Sequence, residues 1–102
     1  MSASMQVIYP ATEGTTFDFD YYMDTHMKLV ADSFGPHLDQ TLVTRGLAGG
    51  PGVPPGYHAI ATMVFKDQAA MNEALKDSAD AVKDIPNFYN GKAQMLFGEV
   101  AG

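Results

Sequence analysis

The chain has 102 residues, 46% of them hydrophobic and 18% charged, which is room for one domain of roughly 100 residues with its own core and not for two. Its formal net charge is −6, with six Lys and Arg spread thinly along it, so no basic stripe exists to neutralise phosphates, and nucleic acid is excluded as a partner. Cysteine is absent, which removes disulfide and thiolate chemistry and leaves imidazole and carboxylate as the strong metal ligands.

The first element is predicted over Ser4 to Tyr9 (SMQVIY), short, β-branched and aromatic, closed by Pro10 and the Glu13-Gly14 region. A helix follows, FDFDYYMDTHMKLV, with Asp18 as its N-cap, Asp20 at the positive end of its dipole, and Gly35-Pro36 as its stop. Steps of about 100° place Phe19, Tyr22, Met23, His26, Leu29, Val30 and Ser33 in one inward arc, with His26 at its centre. Two strands are expected at Leu38 to Leu47 and Tyr57 to Phe65. Between them GLAGGPGVPPG, with five glycines and three prolines in eleven residues, forbids helix or ladder and predicts a mobile loop at the mouth of a cleft.

Asp67 caps a second predicted helix that runs to Pro86, with Met71, Ala74, Leu75, Ser78, Val82 and Ile85 on one face and a weak point near Asp77-Ser78. Lys92 to Val100 closes the chain as a fourth strand. The order β-α-β-β-α-β is the α+β, ferredoxin-like pattern of one four-stranded antiparallel sheet with two helices on one face. Both alternating sets of the later strands are apolar, Ile60 and Val64 against Ala59, Met63 and Phe65, so the face without helices needs a cover, and a second copy of the chain is the simplest one. A homodimer paired sheet to sheet is expected. No stretch of about 18 apolar residues is present to span a membrane, and a soluble, cytoplasmic protein is expected.

His26 is the sharpest chemical feature, since imidazole exchanges protons near neutral pH without much tuning. Two readings of it stand: a structural histidine satisfied by backbone carbonyls or a hydroxyl, or a general acid or base. Tyr22 is one turn earlier on the same face and is read either as packing or as a hydrogen-bond partner of His26 or a ligand. Asp24 is turned about 200° away from His26 and is not expected to orient the ring. His37 and His58 stand at strand entries, as solvent-facing residues or as the lining of a cleft mouth; Phe88, Tyr89 and Asn90 form a polar-aromatic turn that caps the core or closes over a ligand. The three histidines lack a ligand spacing such as H-x-x-x-H, and no metal site is assigned. Neither a nucleophile elbow nor a phosphate-binding glycine loop is present.

FDFDYYMDTHMKLV resembles the motif of the EthD-like family (ethyl tert-butyl ether degradation proteins), an F-x-x-Y-x-x-x-H-x-x-L helix after the first strand, here Phe19, Tyr22, His26 and Leu29. DIPNFYNGKAQMLFGEV resembles that family's C-terminal stretch, so the likeness covers nearly the whole chain. It implies a dimeric α/β barrel, with His26 and Tyr22 at a cleft between helices and sheet as catalytic residues; His58, Phe88 and Tyr89 are expected as ligand contacts from their places at the strand entry and in the polar-aromatic turn. Many relatives have Pro two residues after the histidine where this chain has Lys28, which bears on the cleft's rim. The functions implied are a cofactor-independent monooxygenase, isomerase or cyclase acting on an apolar aromatic, lactone or polyketide-like small molecule, or a non-catalytic accessory or binding protein. Haem binding through His26, suggested by other members of the superfamily, is a third.

Overall fold

In the computed structural model, which describes residues 1–102, the alternation of the first strand decides where the core lies. Strand β1 (Ala3–Pro10) turns Ala3, Met5, Val7 and Tyr9 inward and leaves the residues between them half-buried. It has a partner on both sides, β3 (Tyr57–Phe65) and β4 (Gln94–Glu99), while β2 (Leu38–Arg45) flanks β3, all antiparallel, in the order β2-β3-β1-β4. The inward set of β3, Ala59, Ala61, Met63 and Phe65, joins that of β1 under the helices. This is the ferredoxin-like sheet expected from the element order.

Asp18 caps the first helix by accepting the Tyr21 amide at 3.0 Å. The helix then has three parts: α1 (Phe19–Tyr21), a wide π-turn over Tyr22–His26, and α2 (Met27–Phe34). The π-turn corrects the predicted arc. Met23 is 50% exposed and Phe34, outside that arc, is buried. A turn closed from residue i to i+5, here by the Met27 amide on the Tyr22 carbonyl, advances less per residue than an α-turn, so everything beyond it is rotated back. The inward positions become Tyr22, His26, Val30 and Phe34.

The second helix is capped by Asp67, which accepts the Ala70 amide at 2.8 Å, and it breaks where the sequence is weak. Helix α3 (Gln68–Leu75) ends with the Ser78 hydroxyl donating to the Leu75 carbonyl at 2.8 Å, and α4 (Ala79–Asp84) starts afresh before the 3-10 turn Ile85–Asn87. The restart changes the phase: Ala81 and Asp84 are buried, whereas Val82, predicted inward, is exposed.

The loop 46–56 is less free than its composition suggests. The Gly46 amide donates to the His58 carbonyl at 2.9 Å, Gly49 and Val53 pair at 2.9 Å, and the Ala11 amide holds the Gly56 carbonyl at 3.0 Å. A Cβ at Gly46 would collide with the Tyr57 carbonyl, so glycine there is a requirement of the close approach. On the sheet face away from the helices, register places Leu42, Ile60, Ile8 and Leu96, but its centre is polar, with Gln6 donating to Thr62 at 3.2 Å. That face is therefore mixed and not continuously apolar. No helix is long and apolar enough to cross a membrane.

Candidate active site

The π-turn carries His26 into the interior, where the residue is 4% exposed. Its Nδ1 lies 3.0 Å from Oδ2 of Asp84, which projects from the last turn of α4. The other carboxylate oxygen accepts the Tyr21 hydroxyl at 2.6 Å and the Asn87 side-chain amide at 3.0 Å. Tyr21, at the start of the helix, and Asn87, in the turn after α4, thus hold the carboxylate from its outer side.

Burial is the largest influence on both acids. It pushes the His26 pKa below the usual imidazole range, against the opposing pull of the Asp84 hydrogen bond and charge. It also pushes Asp84 up, but the hydrogen bonds from Tyr21, Asn87 and His26, with the His26 charge, outweigh it and hold the carboxyl below its ordinary value. The bond to Asp84 in turn raises the Tyr21 phenol. An ionised Asp84 beside a neutral imidazole fixes the tautomer, because a carboxylate only accepts: Nδ1 carries the proton and donates it, and Nε2 keeps its lone pair. No side-chain polar atom is buried without a partner, and Nε2 makes no hydrogen bond, so Nε2 must open onto accessible space.

His26 lines an apolar cavity of about 30 Å³ between the helices and the sheet, the room of roughly one or two water molecules. Met5, Val7 and Met63 form its floor, and Val30, Ala81 and Ile85 its walls. The only lining residues that are not hydrophobic are His26 and Ser78, and the Ser78 hydroxyl is committed to Leu75. A neutral imidazole with a free Nε2 lone pair can accept a proton from a sufficiently acidic group brought within hydrogen-bond reach of it.

The residues singled out in the sequence fall in three places. Tyr22 lines the cavity with its ring 5.3 Å from that of His26, does not hydrogen-bond it, and has its phenol pushed up to about 12 by burial. Phe88 packs against the His26 ring at 4.5 Å and stacks on Tyr22 at 5.0 Å, backing both without lining the cavity. Tyr89 and His58 stand apart from the cavity. Tyr89 is buried with its hydroxyl on the Pro10 carbonyl at 2.7 Å, an anchor for the end of β1. His58 is the extra residue of a bulge, since Tyr9 pairs with Ala59 and Pro10 with Tyr57, and the bulge turns its ring onto Phe17 and Thr15. His37 is half-buried after α2 and joins neither group. No cluster of three or more His, Asp or Glu side chains forms.

Asp84, Tyr21 and Asn87 are the residues that sequence reasoning missed. One signal was available for Asp84. A carboxylate in the last turn of a helix faces the negative end of the dipole, so an acid there needs another reason for its place.

A ferredoxin-like sandwich with a histidine presented from the first helix to a cleft over the sheet defines a class of small α+β domains. Within it, the EthD domain model matches residues 12–92, and the chain belongs to the EthD family. An EthD-like protein from Ralstonia eutropha JMP134 is 30% identical with a TM-score of 0.87, over 99% of this chain and 93% of that one. An ethyl tert-butyl ether degradation family protein from Bacillus halodurans C-125 is 24% identical with a TM-score of 0.78, over 98% of this chain and 99% of that one. SnoaB from Streptomyces nogalater, a cofactor-independent oxygenase, shares the fold at 10% identity and a TM-score of 0.63, over 99% and 93% of the two chains. No curated protein matches.

Proposed function

We propose that the chain is a small cofactor-independent enzyme, a monooxygenase, isomerase or cyclase, that acts on an apolar aromatic, lactone or polyketide-like molecule in the cytoplasm. His26 is its general base and Tyr22 shapes the site beside it. The observation that carries this reading is the His26–Asp84 pair, which leaves Nε2 as an acceptor on a residue that lines an apolar cavity. A positioned base of this kind contributes about 10² to 10⁴-fold. The protein works as a homodimer whose subunits pair by the open sheet faces, supported by the exposed Leu42 and Leu96 there.

The test is turnover of a panel of phenols, quinols and lactones, followed by oxygen uptake and by chromatographic loss of substrate. Turnover by the parent that His26→Gln abolishes is expected. Loss of substrate at the same rate in both proteins would sink the reading. The apolar lining of the cavity, which suits an uncharged guest whether or not it reacts, supports a second one, a non-catalytic accessory or small-molecule-binding protein of a degradative oxygenase pathway. Saturable binding of a panel member without turnover would select it.

A further inference from the structure

The cavity at His26 is enclosed by buried or half-buried side chains except at two points. Val82 on α4 and Met95 on β4 both line it, and they are 45% and 41% exposed, the only lining residues more than a third open to solvent. Val82 follows the buried Ala81 on α4, and Met95 pairs with the inward Val7 on the edge strand β4, so each reaches the cavity from an element that is open to solvent. A side chain that touches both the interior space and the solvent stands where the two meet.

We propose that the way into the site runs between α4 and β4, and that Val82 and Met95 are its specificity-determining rim. This rests on the reading of His26 as the reacting group. The rim admits uncharged, apolar molecules. No Lys, Arg, Asp or Glu lines the cavity, so a carboxylate or phosphate that passed the rim would be stripped of water with nothing to pair it. Met95 is unbranched and pliable, and with Met5, Met27 and Met63 it makes four of the chain's seven methionines line this space, a surface that repacks around guests of different outline. Val82 is β-branched and stiff, and on this proposal it is the less yielding of the two rim side chains.

Diethyl pyrocarbonate, a small uncharged reagent that acylates neutral imidazole, tests the route. Its rate of reaction with His26 is read by peptide mass mapping, with His37 and His58 as internal references. Val82→Ala and Met95→Ala are expected to speed His26 labelling several-fold and Met95→Trp to slow it, with the two reference histidines unchanged. Leu47→Ala, which removes a still more exposed apolar side chain that does not line the cavity, is expected to change nothing. An His26 rate indifferent to the rim, moved as much by Leu47→Ala, or rising in step with His58 as it would through general loosening, overturns the proposal, and so does an His26 that stays unreactive in every variant. Turnover is not read here, so rim-dependent labelling of a protein inert in the substrate panel would remove the enzymatic reading and leave the entrance standing.

Discussion

His26 and Asp84 are 58 residues apart in the chain, and their side chains meet at 3.0 Å in the interior. The pair ties the first helix to the end of the second, so the same bond that orients the imidazole also joins two elements over the sheet. Imidazole orientation and fold stability are therefore coupled through one contact.

Removing the carboxylate should be felt in both. Asp84→Ala leaves Nδ1–H, the Tyr21 hydroxyl and the Asn87 amide without their acceptor, a loss of about 1 to 3 kcal/mol of stability measured by urea unfolding. Asp84→Asn keeps the shape but withdraws the charge that raises the His26 pKa, so an NMR titration of the ring should place its midpoint lower still than in the parent. An unchanged midpoint would mean that Asp84 does not govern the imidazole.

The pH dependence of stability follows from the direction of that shift. The folded state holds His26 below its unfolded value of 6.5, so between the two values the unfolded chain binds the extra proton and folding weakens as pH falls. The penalty is absent above 6.5 and grows as pH drops toward the folded value. Asp84 acts at lower pH in the same sense: its stabilisation is present above its unfolded value of 3.8 and is lost as pH falls through the folded one. Melting temperatures from pH 8 to pH 5, about the range in which imidazole titrates, should fall in the parent. They should fall less in His26→Gln.

Sequence reasoning reached what local signals encode. Asp18 and Asp67 cap their helices as a short acidic side chain before an apolar-periodic run should, and the short β-branched and aromatic runs gave the four strands and their order in the chain. It did not reach the π-turn, because nothing in YMDTH distinguishes a turn closed one residue late, and with the turn it missed the outward rotation of Met23. Asp84 was hidden for another reason. Its partners, Tyr21 and His26, lie across the fold, and a contact over 58 residues leaves no periodicity in the chain. The setting of His58 was hidden as well, because a one-residue bulge turns its ring onto Phe17 and Thr15 and no local signal marks the bulge.

The π-turn makes its own prediction. Deleting Thr25, an exposed residue within it, should restore a plain α-helix, with His26, Val30 and Phe34 held in place while the segment before them rotates out. Tyr22 would leave the core, a loss on the scale of an aromatic truncation, about 3 to 5 kcal/mol. Circular dichroism should report no loss of helix while urea unfolding reports the lower stability; equal stability would show that the turn sets no phase.

Pairing through the open sheet face predicts that light scattering on a sizing column gives twice the mass of one chain. Leu42→Asp with Leu96→Asp, which put like charges on that face without touching the core, should give the mass of one. A doubled mass that survives both substitutions would place the contact elsewhere.

Helix α4 is six residues long, bounded by the break after α3 on one side and the 3-10 turn on the other. Ala81, Val82 and Ile85, on or just past it, form the wall of the cavity, and the same helix carries Asp84. Room and alignment therefore depend on one element: any outward displacement of α4 that enlarged the cavity would also draw the carboxylate from the imidazole. Under the proposed role of His26 as a base, an oversized guest would thereby unseat the orientation of the group meant to act on it, and size selection would need no separate gate.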